Sequence, residues 1–483
     1  MIRILNIAAL VGYSLTSVAQ WWTPLGGGFP PPGGPATIYG DAQLNKLLVG
    51  GSFPYALNGS DSVTIVGIGA WDGWQWDSLA TRVQPWDGPP SNVCANTHSF
   101  QRINGTLYAN GGWGFPTPDS TWNRRIARLN EDSSRWEALE CPNPLVGGMM
   151  HLLRVAGDTS FITGWQGTIC GEAPSCVFSY ANGTIQRWAP FDDWPEHSSN
   201  YVGYVFPFQG QYYMTGLVND TANSAYYGFL RYTGTEWEPV PGFETYGPIK
   251  KVLIHDNKLF VCGYFFEANG QPGNLVASFD GSQWDNLGGG LLYSLTSPTS
   301  GNPTAVDMFF DADTLYVAGQ FKFAGGIPAQ NIAKWNGVQW CSFPGVFDSY
   351  GTLHAAMWNN ELYVVGGFAA IDGVLMNQVA RYNGGYQVLD CSSPISIPES
   401  VSEEPILSIL YNAATASVTV STLPSATHAP VHLQLFDPLG RQVLTRRVEL
   451  NEAVSVAALA SGAYLARMIT GPNAMVVGRF VKH

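Results

Sequence analysis

A short motif recurs along the chain at intervals of 47 to 61 residues, and this repeat constrains the fold more than any other feature. Its clearest copies are ELYVVGGF from Glu361, TLYVAGQF from Thr314 and KLFVCGYF from Lys258. Seven copies align on the glycines Gly50, Gly111, Gly164, Gly216, Gly263, Gly319 and Gly366. Apolar runs broken by glycine at such a period are typical of propeller blades with four antiparallel strands. We therefore predict an all-β fold whose main part is a seven-bladed β-propeller.

An aromatic side chain follows each aligned glycine 20 to 26 residues later. The seven aromatics are Trp76, Trp136, Trp188, Trp237, Trp284, Trp340 and Tyr386. Asp-Gly or Asn-Gly pairs precede several of them, as at Asp72–Gly73 and Asn336–Gly337. Two-residue hairpins with positive φ at both positions favour such pairs. We predict strand reversals at these pairs and packing of the flanking aromatics between blades.

The segment WTPLGGGF from Trp22 resembles the blade-closing segment WDNLGGGL from Trp284, although no blade precedes it. We predict that this N-terminal segment supplies the last strand of the final blade. Closing the ring in this way would remove two exposed sheet edges.

Composition and charge narrow the class of protein. Aromatic residues make up 13% of the chain, charged residues only 12%, and 55 Gly and 32 Pro favour turns over helices. The net charge of −13 comes without clusters of Lys and Arg, which excludes a nucleic-acid partner. No phosphate loop, metalloprotease helix or nucleophile elbow is present in the sequence, so no catalytic residues are predicted.

The chain divides into four segments by composition. Residues 1–19 have an early Arg3, an apolar run and the small residues Ser17 and Ala19, which is the layout of a signal peptide. The apolar run is too short for a transmembrane segment, and no later run is long enough. Residues 20–395 hold the repeats, 396–406 form a Ser, Pro and Glu linker, and 407–483 form a separate module. We expect a secreted protein, extracellular or at the cell surface.

The repeats resemble the Kelch-type propellers, in which a double glycine is followed by spaced aromatics. Gly366, Gly367 and Tyr382 match this pattern. Four of the aligned glycines lack the second glycine, so the resemblance is partial. It covers residues 20–395 and implies the same propeller fold.

The C-terminal module alternates apolar and polar residues in VHLQLFDPLGRQV from Val431, which predicts a small β-sandwich. It is similar to the C-terminal sorting domain of the type IX secretion system of Bacteroidetes. The matching residues are Gly440, Arg441, Gly462, Tyr464 and Lys482. The sequence departs from that family at Asn412–Ala413, where the family has Pro-Asn-Pro. The resemblance implies that the module is a sorting signal and that the type IX secretion machinery is its partner.

Polar residues recur twelve or thirteen positions before the aligned glycines, at the start of each first strand. Tyr204, Lys251, Asp307 and His354 are there, as are His98 and His151 with an offset of one residue. Side chains at this point can face a central channel, so His98, His151, His354 and Asp307 could hold a metal, the only cofactor considered. The offset flips His98 and His151 to the other face unless a bulge intervenes. The alternative is a solvated channel lining without a cofactor.

Several tryptophans lie outside the repeat position, in segments that read as loops. Five are candidate ligand-binding residues: Trp86, Trp113, Trp122, Trp165 and Trp194. Exposed aromatics on loops are often contact residues, although long loops also bury their own tryptophans. We expect a binding or interaction module for a glycan or a surface protein. Two alternatives stay open: a polysaccharide-acting enzyme with its site at the channel mouth, and a purely structural surface component, because the fold does not fix the function.

Overall fold

The computed structural model describes residues 21–65, 67–79, 97–116, 122–132, 134–138, 150–156, 159–167, 169, 172–181, 184–192, 197–220, 225–243, 247–349, 351–384, 407–422, 431–437, 441–449, 451–471 and 474–482. The chain forms two compact units that divide between Ser393 and Pro394. Within the described ranges, no helix has both the length and the apolar character needed to cross a membrane.

The first unit consists almost entirely of short strands. Its first part contains β1 (Trp22–Pro24), β2 (Gly34–Asp41), β3 (Lys46–Ser52), β4 (Tyr55–Asn58), β5 (Asp61–Thr64), β6 (Ile68–Trp71) and β7 (Trp76–Asp77). The next parts contain β8 (Thr97–Ile103), β9 (Thr106–Pro116), β10 (Trp122–Asn130) and β11 (Arg135–Ala138), then β12 (Met150–Ala156), β13 (Thr159–Gly167), β14 (Ser175–Ala181), β15 (Thr184–Arg187) and the one-turn helix α1 (Ala189–Asp192).

The remaining strands of this unit continue the same succession of short strands. They are β16 (His197–Phe208), β17 (Gln211–Asp220), β18 (Ala225–Tyr232) and β19 (Trp237–Pro239), then β20 (Ile249–His255), β21 (Lys258–Gly263), the 3-10 turn Glu267–Asn269, β22 (Val276–Phe279) and β23 (Trp284–Asp285). Next are β24 (Leu291–Leu292), β25 (Thr304–Asp311), β26 (Thr314–Gln320), β27 (Phe323–Ala324), β28 (Ile327–Pro328), β29 (Ile332–Trp335) and β30 (Trp340–Ser342). The last are β31 (Leu353–Trp358), β32 (Glu361–Gly366), β33 (Ala370–Ile371), β34 (Val374–Leu375) and β35 (Val379–Tyr382).

Most of these strands pair into four-stranded antiparallel sheets, which we call blades, and β4-β5, β24-β27-β28 and β33-β34 form small separate sheets. The described blades are β2-β3-β6-β7, β8-β9-β10-β11, β12-β13-β14-β15, β16-β17-β18-β19, β20-β21-β22-β23, β25-β26-β29-β30 and β31-β32-β35-β1. The first strand of each blade contacts the first strand of the next, and β31 contacts β2 to complete the circle. This closed order defines a β-propeller and confirms the predicted all-β propeller fold. The count of seven blades for the intact chain stays a prediction, because the gaps between the described ranges also belong to this unit.

The N-terminal strand closes the ring. Strand β1 pairs antiparallel with β35, and Trp22 lies opposite Tyr382. The Trp22 side chain is fully buried and packs on Phe347 and Tyr382 with ring centroids 5.7 and 5.1 Å apart. The predicted closure of the last blade by this segment is confirmed.

The repeated tryptophans join neighbouring blades. The indole Nε1 of Trp76 donates to the carbonyl of Leu25 at 3.0 Å, and that of Trp340 donates to the carbonyl of Leu287 at 2.5 Å. In each case the acceptor follows the fourth strand of the preceding blade. Trp22, Trp237 and Trp284 donate in the same way to Pro344, Pro190 and Pro241. The side chain therefore buries a large ring between blades while its N–H remains hydrogen-bonded.

The repeated glycine is required because the structure leaves no room for a Cβ atom at this position. A Cβ atom on Gly263 or Gly319 would lie 2.0 or 2.1 Å from a carbonyl oxygen at the beginning of the first strand of the same blade, that of Pro248 or Thr304. In the first repeat Gly51 has this contact at 2.3 Å. The alignment on Gly50 is therefore wrong by one residue, and Gly51 is the equivalent position.

The hairpins between third and fourth strands differ from the predicted turns. Gly73 and Gly337 have φ of 104° and 93°, whereas the preceding Asp72 and Asn336 do not have positive φ. Instead, the Asp72 carboxylate accepts hydrogen bonds from the amides of Trp74 and Gln75, both at 2.8 Å. The prediction of positive φ at both residues is wrong, because the Asp or Asn side chain caps the turn and only the glycine adopts the left-handed region.

The second unit is a small β-sandwich, as predicted. Strands β36 (Leu407–Asn412), β37 (Ser417–Thr422) and β40 (Ala453–Ser455) form one sheet. Strands β38 (Val431–Phe436), β39 (Gln442–Val448), β41 (Gly462–Gly471) and β42 (Ala474–Lys482) form the other. One core holds side chains of both sheets, such as Val418, Leu433 and Phe480.

Candidate functional site

The connections of each blade lie at two opposite ends because its strands alternate in direction. The connections between strands one and two and between three and four are short, as at 359–360 and 72–75. The connections between strands two and three and between blades are longer, as at 264–275 and 286–303. We call these two ends the short-turn face and the long-loop face. Each first strand begins at the long-loop face.

A bulge marks the beginning of the first strands. In β20, Ile249 pairs with Gly263 and Lys251 pairs with Cys262, so Lys250 is an extra residue. The same shift occurs in six of the described first strands, and the extra residues are Ala36, His98, His151, Gly203, Lys250 and Val306. The bulge that the sequence prediction needed for His98 and His151 is therefore present.

The four predicted metal ligands nevertheless do not share one register. Asp307 and His354 pair with the residue before the aligned glycine, as Lys251 does. His98 and His151 are themselves the extra residues of their bulges, one position earlier. Two of the predicted ligands therefore lie at the same position as Lys251, and the other two do not.

Asp307 and His354 form a charged cluster with Lys251 across three neighbouring blades. The Lys251 Nζ lies 2.5 Å from Asp307 Oδ1, and His354 Nδ1 lies 3.5 Å from Asp307 Oδ2. The amide of Ala355 donates to the same Oδ2 at 3.2 Å. In the preceding blade, the Tyr204 hydroxyl donates to the carbonyl of Lys250 at 3.0 Å. A polar row thus lines four consecutive first strands near the long-loop face.

The cluster is electrostatically compensated. The Asp307 side chain is only 9% exposed, and the Lys251 side chain is 29% exposed. Burial by itself would raise the pKa of Asp307, but the Lys251 ammonium and the hydrogen-bonded His354 hold this pKa well below its usual range. Because the ammonium already neutralises the carboxylate, the cluster is better suited to an ion pair than to a metal.

Metal-type ligand atoms converge elsewhere. Among the side chains that the structure describes, His255, Asp256 and Asp313 have ligand atoms within 4.8 Å of one another, and the predicted residues form no such group. The side chain of His151 lies outside the described part. His354 and Asp307 contact each other, but His98 does not join them in a group of three within the described side chains. The metal site at the four predicted residues therefore stays a prediction.

An aromatic pair lies near the long-loop face, as the polar row does. Trp165, one of the predicted ligand-binding residues, is 40% exposed and continues β13 past its aligned glycine. It pairs with Tyr201 of β16, and the two ring centroids are 5.5 Å apart at 48°. Sequence reasoning missed Tyr201. The side chains of Trp113 and Trp122, in β9 and β10, and all of Trp86 and Trp194 lie outside the described residues.

The predicted sorting residues lie in the second unit, apart from Gly440, which lies outside the described residues. Arg441 pairs with Asp437 at 2.7 Å on the surface. The Tyr464 hydroxyl donates to the carbonyl of Ala460 at 2.7 Å, and Gly462 pairs with Lys482. The Lys482 ammonium donates to the carbonyls of Ala457, at 2.8 Å, and Leu459. Tyr464 and Lys482 therefore both fix the loop before β41.

No protein-family model and no curated protein matches the chain. Solved structures similar to it include the extracellular domain of a hybrid two-component system from B. thetaiotaomicron, with 10% identity and a TM-score of 0.45 over 96% of this chain. The chain spans 57% of that structure's length. Chaetomium thermophilum Raptor is 11% identical over 75% of this chain and 29% of its own, with a TM-score of 0.39. A GH74 enzyme of Niastella koreensis is 10% identical over 95% and 74%, with a TM-score of 0.32.

Proposed function

We propose that the chain is a secreted or cell-surface propeller that binds a glycan at the long-loop end of its channel. The observation that carries this proposal is the exposed Trp165 beside Tyr201. A flat aromatic surface that remains partly in water is suited to a ring-shaped amphipathic ligand. The polar row that includes Tyr204, Lys251 and His354 lies near the same long-loop face. It adds hydrogen-bonding groups of the kind that orient a ligand.

Binding is favoured over polysaccharide cleavage by the charges in this region. Glycoside hydrolysis usually requires two carboxyl groups on either side of the scissile bond. In the described part of the polar row, Asp307 is the carboxylate, and Lys251 and His354 keep it ionised and paired. Burial raises the pKa of the neighbouring Cys262 thiol, so this thiol does not offer a nucleophile either.

The test uses the mature chain from Gln20 and a panel of soluble polysaccharides. We expect saturable quenching of tryptophan fluorescence without release of reducing ends. Trp165→Ala should weaken binding strongly and Trp165→Phe less, whereas Val338→Ala, at an exposed residue of the short-turn face, should have no effect. Release of reducing ends would favour the enzyme instead. Unchanged binding by Trp165→Ala would refute the role of the aromatic pair.

We also propose that the second unit directs export through the type IX secretion system. The proposal is supported by the sequence resemblance of Arg441, Gly462, Tyr464 and Lys482 to the sorting family. The test is expression in a bacterium that has this system, with and without residues 407–483. The full chain should reach the surface or medium and the truncated chain should remain in the periplasm. Surface delivery of the truncated chain would contradict the proposal.

A further inference from the structure

Trp74 is the most exposed large apolar residue of the described chain, at 87% exposure. It lies on the short-turn face, in the hairpin between β6 and β7. The equivalent hairpins of three other blades have Thr235, Ser282 and Val338 at this position. Asp72 caps the turn in the first blade, and Asp280 caps the fifth-blade turn through the same two amide bonds although Ser282 takes the place of Trp74. The fold therefore does not require an indole here.

A recess opens next to this tryptophan, and a second recess shares one arginine with it. One has a volume of about 220 Å³ and is lined by Trp71, Trp74, Leu25 and Arg381. The other, of about 210 Å³, lies between the last two blades, and Arg381 lines it as well. Its other walls include Tyr316, Phe343, Lys334 and Glu361. We call these two recesses together the groove: they share Arg381, the first includes the exposed indole of Trp74, and the second is lined by aromatic rings.

The polar groups of this groove are placed to accept and donate hydrogen bonds. Arg381 Nη1 lies 3.3 Å from Glu361 Oε1, and these side chains are 40% and 42% exposed, so both still face water. A guanidinium beside a carboxylate offers several donors and acceptors to a pair of neighbouring hydroxyls. In the second recess the Lys334 ammonium lies 5.7 Å from the centroid of the Tyr316 ring. Burial lowers the pKa of Lys334, although Asp311 partly opposes this effect.

We infer that this groove binds an oligosaccharide, with one sugar ring on Trp74 and hydroxyls of the chain on Arg381 and Glu361. Two recesses that share one arginine suit at least two linked sugars better than a single one. The inference deepens the proposed glycan-binding function, on which its ligand class rests. It uses residues of the opposite face, so it does not depend on Trp165.

The experiment measures binding of the mature chain to hexasaccharides of cellulose, xylan and chitin and to their monosaccharides by isothermal titration calorimetry. Trp74→Ser introduces the residue found in the fifth blade and should leave the turn intact. It should weaken hexasaccharide binding by up to roughly tenfold, because the contribution of one aromatic contact corresponds to at most about a factor of ten in the dissociation constant. Glu361→Gln should weaken binding without loss of Arg381. Val338→Ala, in the equivalent turn of another blade, is the matched control.

The outcomes separate this site from the channel mouth. Loss of binding in Trp74→Ser with normal binding in Trp165→Ala supports the groove and refutes the channel-mouth site. The reverse result overturns the groove and leaves the proposed function intact. Binding of monosaccharides as tight as that of hexasaccharides, or no binding of any hexasaccharide by the unaltered chain, also overturns the inference.

Discussion

The ion pair between Lys251 and Asp307 yields the most quantitative prediction. Their 2.5 Å contact joins two blades, and the carboxylate is almost completely buried. Removing one partner of a buried pair typically costs about 3–5 kcal/mol of unfolding free energy. The Lys251 ammonium is partly exposed and would regain water, and asparagine can still accept the bond from the Ala355 amide. We therefore expect a smaller cost, about 2–3 kcal/mol, for Asp307→Asn.

A double-mutant cycle measures the pair directly. The variants are Asp307→Asn, Lys251→Met and the double variant, compared by urea unfolding at pH 7 with tryptophan fluorescence. We expect a coupling energy of about 1–3 kcal/mol, because the charges contact each other. If the single changes add to within about 0.5 kcal/mol, the contact contributes no stability and the electrostatic argument is wrong.

The pH dependence provides a second check of the same pair. The folded-state pKa of Asp307 lies below its unfolded value of about 3.9, so its stabilisation is complete above that pH. As the pH falls below about 4, the unfolded chain takes up a proton that the folded chain does not, and the stabilisation declines. The difference in stability between the unaltered chain and Asp307→Asn should therefore shrink as the pH falls from 4 to 3. A constant difference down to pH 3 would contradict the assigned pKa shift.

Two further predictions concern how the blades are joined. Trp340→Phe removes the indole bond to Leu287 and keeps most of the buried ring, so urea unfolding should show a loss of about 1 kcal/mol, whereas Trp74→Phe should show almost none. A chain that begins at Gly33 lacks β1 and leaves the edge of β35 unpaired, so near-UV circular dichroism should weaken and size-exclusion chromatography should show aggregation. Unchanged stability of Trp340→Phe, or a monomeric and fully folded truncated chain, would contradict these accounts.

The sequence was sufficient for the fold because the same physical demands recur in every blade. The glycine at positions such as Gly263 and Gly319 is fixed by a carbonyl that leaves no room for a Cβ atom. The tryptophan at positions such as Trp340 must fill the space between blades and hydrogen-bond to a backbone oxygen. Requirements of this kind tolerate few residue types, so they are visible as a repeat.

The bulge of the first strands could not be predicted, because it places no demand on residue type. Its extra residue is Ala36, His98, His151, Gly203, Lys250 or Val306. The two histidines therefore appeared to be near-equivalents of His354, although they lie one position earlier in register. The prediction of the turn geometry was wrong for a related reason. Asp-Gly suits two hairpin geometries, and only the structure shows that Asp72 caps the turn with its side chain.

The repeat also supplies an internal comparison that separates structural residues from functional candidates. At the position of Lys251, Asp307 and His354, other blades have Thr37 and Leu152, so the propeller does not need charge there. Trp74 differs in the same way from the small residues of equivalent turns. Trp74 is 87% exposed and Trp165 is 40% exposed, so these two side chains remain available to a ligand. Both candidate sites, on opposite faces, therefore lie at positions where the sequence departs from the repeat that determines the fold.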